Sequence, residues 1–351
     1  MLKNHGYYHN TNRLIANFPD YVNEYIQSQR TIPLSHSTLY SYCLEFKKYL
    51  QWLIESEIIS HESIKEITLK ELENISKHEL EDFVLQERLR LETKYGSRQH
   101  ASTLNRTLAA IKSLYNYLCE QTEDENGETY MKRNVSRFIH IRKKSETLHY
   151  RAAQLEGKLF LDNETQEFLD FVENDYEKLI NIQAKASLKK NKVRDLAILS
   201  LFLASGLRCS ELVGINLLDL NLETGRVSVM RKEGKQDVVP IAKFSHHYIR
   251  DYLYERSRIE TSTQALFLTD YNGTIKRISN ASINKLVGKY SEAFKVRVTP
   301  HTLRHTFATR LFKVSQSQVL VSNQLGHSST KPTELYTHIV SSEAKEALSK
   351  L

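Results

Sequence analysis

TPHTLRHT, residues 299–306, is the stretch on which the reading of this chain turns. Thr299 followed by Pro300 reads as a helix start. The hydroxyl can cap the first free N–H groups, and proline sits where its missing N–H costs nothing. His301 and Arg304 then stand one turn apart and project from one face. A guanidinium on such a face offers a planar fork that matches two oxygens of a phosphate, where lysine offers only a point charge. Downstream, SQVLVSNQL (317–325) reads as a helix that Gly326 stops, which leaves His327 in a turn. Pro332 then starts a last short helix carrying Tyr336 in ELYTHI (334–339).

Further groups lie upstream. VRDLAILSLFLAS (193–205) is apolar almost all round and predicts a buried helix ended by Gly206. Arg208 in ASGLRCSEL (204–212) then falls in a tight turn, with Ser210 in position to cap the next helix. DLNLETGRVSVMRKEGKQDVVPIA (219–242) alternates around Val227 and Val229, then Val238, Val239 and Ile241, and predicts a hairpin or three-stranded meander. Arg231, Lys232 and Lys235 all stand near its tip. A phenol able to attack phosphorus, two arginines, two imidazoles and a mobile lysine together can cut a phosphodiester without a metal. Taken singly these residues say little, since an HxxR pair is common and the chain has 19 tyrosines. A metal cluster of His301, His305, His327 and His338 lacks a nearby carboxylate or cysteine at ligand spacing. His305 is read as support or core.

Composition permits this chemistry. The 351 residues are enough for two cores, and 40% hydrophobic residues is ordinary for a globular chain. No apolar run approaches the ~20 residues of a membrane span, and the first residues lack the apolar core of a signal peptide, so membrane insertion is excluded and the expected location is cytoplasmic. Cys43, Cys119 and Cys209 have neither metal-ligand spacing nor an even count, which suits a reducing compartment. Net charge is +7. Residues 131–144 (MKRNVSRFIHIRKK) hold six Lys/Arg and no acid, and residues 185–194 (KASLKKNKVR) hold five and no acid, which favours a face turned to nucleic acid.

The first 125 residues read as helical. Leu104, Leu108, Ile111, Leu114, Tyr115 and Leu118 make one apolar stripe, and Leu39, Tyr42, Phe46, Tyr49, Leu50 and Leu53 another. These aromatics follow the stripe and are read as core. Lys47, Lys48, Arg98, Arg106 and Lys112 on the polar faces could meet phosphates. Residues 121–150 break the periodicity and read as a linker. Phe168, Phe171 and Val172 restore it in LDNETQEFLDFVENDYEKLI (161–180). A carboxy-terminal helical bundle is expected after the hairpin.

GLRCSEL, the hairpin lysine, HTLRHTFATRL, QLGHSS and LYTHI, in this order over roughly 190–340, resemble the tyrosine recombinase (phage integrase-like) family. YSEAFKVRVTPHTLRHTFATRLF, SQSQVLVSNQLGHSST, ALFLTDYNG, PDYVNEYI and TLYSY are similar to its single-protein Xer branch. The resemblance implies a mainly α fold with a small antiparallel β-sheet, arranged as a two-domain C-shaped clamp. Its expected divisions are a tail at 1–20, a helical core-binding (SAM-like) domain at 21–125, a basic linker with an interdomain helix at 126–186, and a catalytic domain at 187–351 ending in an exchange helix.

By the same resemblance Tyr336 is the nucleophile that joins a 3′ phosphate and releases a 5′ hydroxyl. Arg208 and Arg304 bind the non-bridging oxygens, and Lys232, chosen over its neighbours by its place relative to Pro240 and by family likeness, is the general acid. His301 and His327 hydrogen-bond the phosphate, with His301 a candidate acceptor of the tyrosine proton. Glu211, one turn after Arg208, either orients that arginine or only supplies negative charge at a helix start. No cofactor is implied. The implied partners are a double-stranded DNA recombination site, three further copies of the chain in a homotetramer on two duplexes, and an FtsK-type septal DNA translocase. Chromosome-dimer resolution at a dif-like site is the implied role. A mobile-element integrase or transposase, a catalytically silent DNA-binding relative and a type IB topoisomerase are the competing readings.

Overall fold

The computed structural model describes the chain except residues 1, 32–34, 96–100, 141–145, 232–233, 328 and 341–351. Lys232, Arg98 and the expected exchange helix therefore lie outside the described residues. The chain divides into two compact units, Met1–Ser145 and Glu146–Leu351, each with its own hydrophobic core. No helix among the described residues is long and apolar enough to cross a membrane.

The first unit is helical: α1 (Leu2–Ile15), α2 (Asp20–Thr31), α3 (His36–Glu55), α4 (Leu69–Asn74), α5 (Lys77–Tyr95) and α6 (Ala101–Glu120). The residues read as a tail thus include a helix, and α1 packs on α3. The stripes of α3 and α6 meet in the core, where Phe46, Tyr49, Leu50, Leu53, Ile111, Leu114 and Tyr115 are fully buried. Two hydroxyl pairs lie in this core, Tyr49 with Tyr115 at 3.0 Å and Tyr25 with Ser113 at 2.7 Å. Two residues of the predicted phosphate-facing set pair with buried carboxylates. Lys48 Nζ lies 2.5 Å from Glu45 and 2.8 Å from Glu87, and Arg106 donates to Glu45 at 3.4 Å. Two buried carboxylates on adjacent helices draw them there, because a charge taken out of water must be paired.

The second unit holds α7 (Leu148–Glu156), α8 (Glu164–Asp170), α9 (Ile182–Ser205), α10 (Cys209–Gly214), α11 (His246–Ser257), α12 (Asn280–Phe294), α13 (Pro300–Ser315), α14 (Gln318–Leu325) and α15 (Glu334–Val340). Strands β1 (Leu220–Asn221), β2 (Arg226–Met230) and β3 (Gln236–Pro240) form the expected antiparallel meander, with Val227 opposite Val239. A second hairpin, β4 (Leu268–Tyr271) and β5 (Thr274–Arg277), stands where only helices were expected. Its turn residues Asn272 and Gly273 both have positive φ, 51° and 78°, the conformation that an Asn-Gly pair favours.

The basic run at 185–194 is the first half of α9 and not a lead-in to it; Asn181 caps the start. The apolar second half, Leu196 to Ala204, is buried. Gly206 ends the helix at φ 67°, and a Cβ there would stand 2.4 Å from the Phe307 ring, so the turn needs glycine for both conformation and space. Ser210 is not the cap of α10. Arg208 occupies that place, and its backbone N–H donates to Glu211 at 2.8 Å.

Candidate active site

Three chain ends converge in the second unit: the α9–α10 turn with Arg208, the first turns of α13 with His301, Arg304 and His305, and the carboxy-terminal end of α14 with His327. Thr299 caps α13 through the N–H of Thr302 and Pro300 takes the first helical position, as the sequence predicts. The α14 end supplies the common ground. Its last carbonyls have no partner within the helix and carry its negative dipole end, and guanidinium groups fill the need. Arg304 Nη2 donates to Leu325 O at 2.7 Å and Nη1 to Gly206 O at 2.8 Å, tying α14 to the α9 turn. Arg231 Nη2 donates to Gln324 O at 2.9 Å and Nη1 to Leu325 O at 3.1 Å. Arg208 Nη2 reaches Gly326 O at 3.4 Å.

One carboxylate stands among the three cations. Glu211, 3% exposed, accepts from Arg208 Nη1 at 2.7 Å and Arg231 Nη1 at 3.1 Å, and lies 3.9 Å from Arg304. Glu211 thus stands in the first turn of α10 and hydrogen-bonds the Arg208 guanidinium. Arg231, one of the candidates at the hairpin tip, is committed to this framework, with Asp237 at 2.9 Å completing its bonds. Arg304 is 2% exposed, and burial with the adjacent Arg208 lowers its pKa to about 10, so it stays charged at neutral pH. The Arg208 side chain remains about a third exposed (36%) and can still meet an incoming anion.

His327 receives a hydrogen bond from Arg304 Nη2 at Nε2, 3.2 Å away. A guanidinium can only donate, so Nε2 accepts and the proton sits on Nδ1. That Nδ1 is buried without a hydrogen-bond partner. Burial, then Arg304, Arg208 and Arg231, push the imidazole down to about 4, so it is neutral and keeps this tautomer. His301 is exposed at the mouth of the site, and desolvation with Arg304 and Arg208 lowers its pKa as well.

Tyr336 lies on α15 with its ring packed in a small cluster with Phe307, Phe312, Val321 and Leu325. It is 1% exposed, and burial raises its hydroxyl to about 12 against the opposing pull of Arg304. His305, read from the sequence as support or core, touches both Tyr336 and His301. Its Nδ1 lies 3.0 Å from Tyr336 Oη, and its ring meets that of His301 at 4.4 Å. Residues 301 and 305 are four apart on one helix and so share a face, a spacing that could have revealed the contact from sequence. The geometry thus brings Arg208, Arg304, His327, His301 and Tyr336 into one site, adds His305 and Arg231, and leaves Lys232 outside the described residues.

A cluster of arginines beside a buried tyrosine on a separate short helix thus stands in a helical unit with a small antiparallel meander. Residues 170–343 match the phage integrase family and residues 21–122 the phage integrase N-terminal SAM-like domain. The chain is 51% identical to the tyrosine recombinase XerS of Lactococcus lactis subsp. lactis, over 97% of this chain and 98% of that one. It is 50% identical to XerS of Streptococcus thermophilus, over 95% of both. The fold is similar to that of the XerH site-specific recombinase bound to palindromic difH substrate (TM-score 0.62, 23% identity, 90% of this chain and 79% of that one). It is also similar to the Tn1549 transposon integrase in complex with transposon right-end DNA (TM-score 0.56, 19% identity, 93% and 98%). The chain belongs to the tyrosine recombinase family, and it is a site-specific recombinase.

Proposed function

We propose that this recombinase cuts and rejoins duplex DNA at a dif-like site through a 3′-phosphotyrosyl intermediate, with Tyr336 as nucleophile. The observation that carries the reading is the convergence of Arg208, Arg304 and His327 at the α14 end, in the domain that buries Tyr336 against the same helix. Arg208 and Arg304 hold the non-bridging oxygens and stabilise the charge of the pentavalent transition state. The orphan Nδ1–H of His327 and the exposed His301 add hydrogen bonds to that phosphate. Lys232 protonates the leaving 5′ oxygen, a transfer that typically contributes about 10²–10⁴-fold. Glu211 keeps the arginines in register.

The phosphotyrosyl ester keeps the free energy of the broken diester. A 5′ hydroxyl from a partner duplex can therefore reverse the attack without metal or ATP. Four copies act in two pairs through a Holliday junction, in the cytoplasm, to resolve chromosome dimers during cell division, with an FtsK-type septal translocase as activator. Half-identity to XerS over the whole chain, against 19% to a transposon integrase, supports the chromosomal role over the mobile-element one.

The test incubates wild type and Tyr336→Phe with nicked duplexes carrying candidate dif-like sites in EDTA. A covalent protein–DNA adduct is expected with the wild type and none with the variant. An adduct that persists in the variant rejects Tyr336 as nucleophile, and one that needs a divalent metal rejects the mechanism.

A further inference from the structure

We propose that His305 is a catalytic residue of this site: its Nδ1 takes the phenolic proton of Tyr336 as Oη attacks phosphorus, and it does so only once the scissile phosphate is in place. The inference rests on the function proposed above and reassigns the step for which His301 is the candidate expected from the sequence. A nucleophilic phenol must lose a proton, and a phenol that is 1% exposed cannot give it to bulk water. The acceptor must be resident. His305 Nδ1, 3.0 Å from Oη, stands in hydrogen-bond reach with ring planes inclined by 57°. His301, the acceptor expected from the sequence, meets the His305 ring edge at 4.4 Å between centroids.

The surroundings of His305 supply the condition. It is faced by His301 and Arg304 on its own helix α13, by His327 from the turn after α14, and by Arg151 from α7. Burial first, and then each of these groups, lowers its basicity to about 3, while the phenol stands near 12. With the imidazole lowered and the phenol raised, the proton stays on oxygen, and the resting site holds a neutral, hydrogen-bonded phenol. A phosphate held by Arg208 and Arg304 brings negative charge against the groups that suppress His305. Opposite charge nearby favours a protonated imidazole, so the same event raises His305 and completes the site. The balance closes: the Oη–H bond breaks, its proton moves to Nδ1, Oη bonds to phosphorus, and the 5′ oxygen leaves with a proton from the general acid. DNA binding and nucleophile activation become one step, which keeps an unoccupied protomer from reacting.

Three variants decide the matter: His305→Ala, His305→Asn and Tyr336→Phe, each measured on nicked duplex under single-turnover conditions across pH, with thermal unfolding and duplex binding as controls. Asparagine can place its amide oxygen near the Nδ1 position and accept the phenol bond, but it cannot take the proton. Both His305 variants are expected to bind duplex as the wild type does and to cleave roughly 100-fold or more slowly near neutral pH, the usual range for a lost proton acceptor. Their rates should climb steadily with pH, without the wild type's levelling once the base is deprotonated. A 5′-thio leaving group, which needs no proton, should not restore either.

Wild-type cleavage by His305→Asn overturns the proposal, because positioning alone would then suffice. Rescue by the thio substrate also overturns it, because the histidine would then serve the leaving group. If His305→Ala unfolds, His305→Asn decides. An adduct with Tyr336→Phe sinks the function proposed above; normal His305 variants with a dead Tyr336→Phe sink only this inference.

Discussion

Each unit has buried carboxylates ringed by cations, and the two rings do different things. In the first, Glu45 and Glu87 gather Lys48, Arg90 and Arg106, and the arginine side chains are half exposed, 51% and 53%. In the second, Glu211 gathers Arg208, Arg231 and Arg304, with Arg231 and Arg304 almost wholly buried. Exposed guanidinium groups can rehydrate when a partner is lost; buried ones cannot. The first ring braces three helices. The second holds charge out of water at fixed points, with backbone carbonyls as its other anchors, and so is organised before any ligand arrives. Burial of the cations, and not the number of ion pairs, separates a brace from a site.

The largest effect that sharpens this contrast is expected from Glu211→Gln. Removing one partner of a buried ion set costs ~3–5 kcal/mol. It also releases Arg208 from its bond, and misplacement of about 1 Å typically costs ~100-fold in rate. Single-turnover cleavage and thermal unfolding measure the two losses; a variant with normal rate and stability would break the comparison.

Acid titration comes next. His327 and His305 have folded pKa values of about 4 and 3, below the ~6.5 of an unfolded histidine. The unfolded chain therefore binds these protons first, so stability is complete above about pH 6.5 and falls as pH drops toward 4 and 3. The slope is at most about 1.4 kcal/mol per pH unit for each imidazole. In the first unit, burial pushes Glu87 up, but hydrogen bonds from Arg90 and Lys48 outweigh it and leave it below the ordinary carboxylate value. Its contribution is present above about pH 4.5 and is lost only as pH falls through the lower folded value. Between pH 6.5 and 5 the second unit should weaken through His327 and His305, before Glu87 releases its contribution in the first. Trp52, the single tryptophan, reports on the first unit by fluorescence, and hydrogen exchange along α13 reports on the second. Parallel losses in that window would contradict the assignment.

The smallest effect is expected from Glu45→Gln. The cations it leaves are partly exposed, 26% for Lys48 and 53% for Arg106, and Lys48 keeps Glu87 as a partner, so both can rehydrate as exposed pairs do, at ~0–1 kcal/mol. Thr107, which donates to Glu45 at 2.9 Å, can donate to the new amide oxygen. Urea unfolding followed at Trp52 should shift by no more than ~1 kcal/mol. A loss as large as that at Glu211 would make the two rings equivalent.

Much of this site was legible because its residues sit on strong local punctuation. The Thr299-Pro300 start, the Gly206 and Gly326 stops and the meander around Val227 and Val239 are written in adjacent residues. What was not legible depends on residues far apart in the chain. Arg231 acts by reaching carbonyls 93 and 94 positions away, and nothing beside it in sequence announces them. Lys48 and Arg106 looked like a polar face because the carboxylates that claim them, Glu45 and Glu87, are buried only after α3, α5 and α6 pack. The β4–β5 hairpin is a different case. Asn272-Gly273 is a local turn signal, overlooked because LTDY and TIKR are short and mixed in polarity. His305 reads from sequence as support or core, although its four-residue spacing from His301 places the two on one helical face.

At the end of α14 the three arginines address the peptide oxygens of Gln324, Leu325 and Gly326, and Arg304 also reaches the His327 ring. What they read at positions 324–326 is the course of the main chain, which the Gln324 side chain helps to place through its bonds to Ser205 O and Pro240 O. Glycine at 326 is held for another reason, since its φ is 63° and a Cβ would stand 2.7 Å from Arg231 Nε. The catalytic address is thus stored as a shape. Substitutions along α14 can retune packing or partner contacts while leaving the cationic slot where it is, whereas an inserted or deleted residue there would displace every anchor at once.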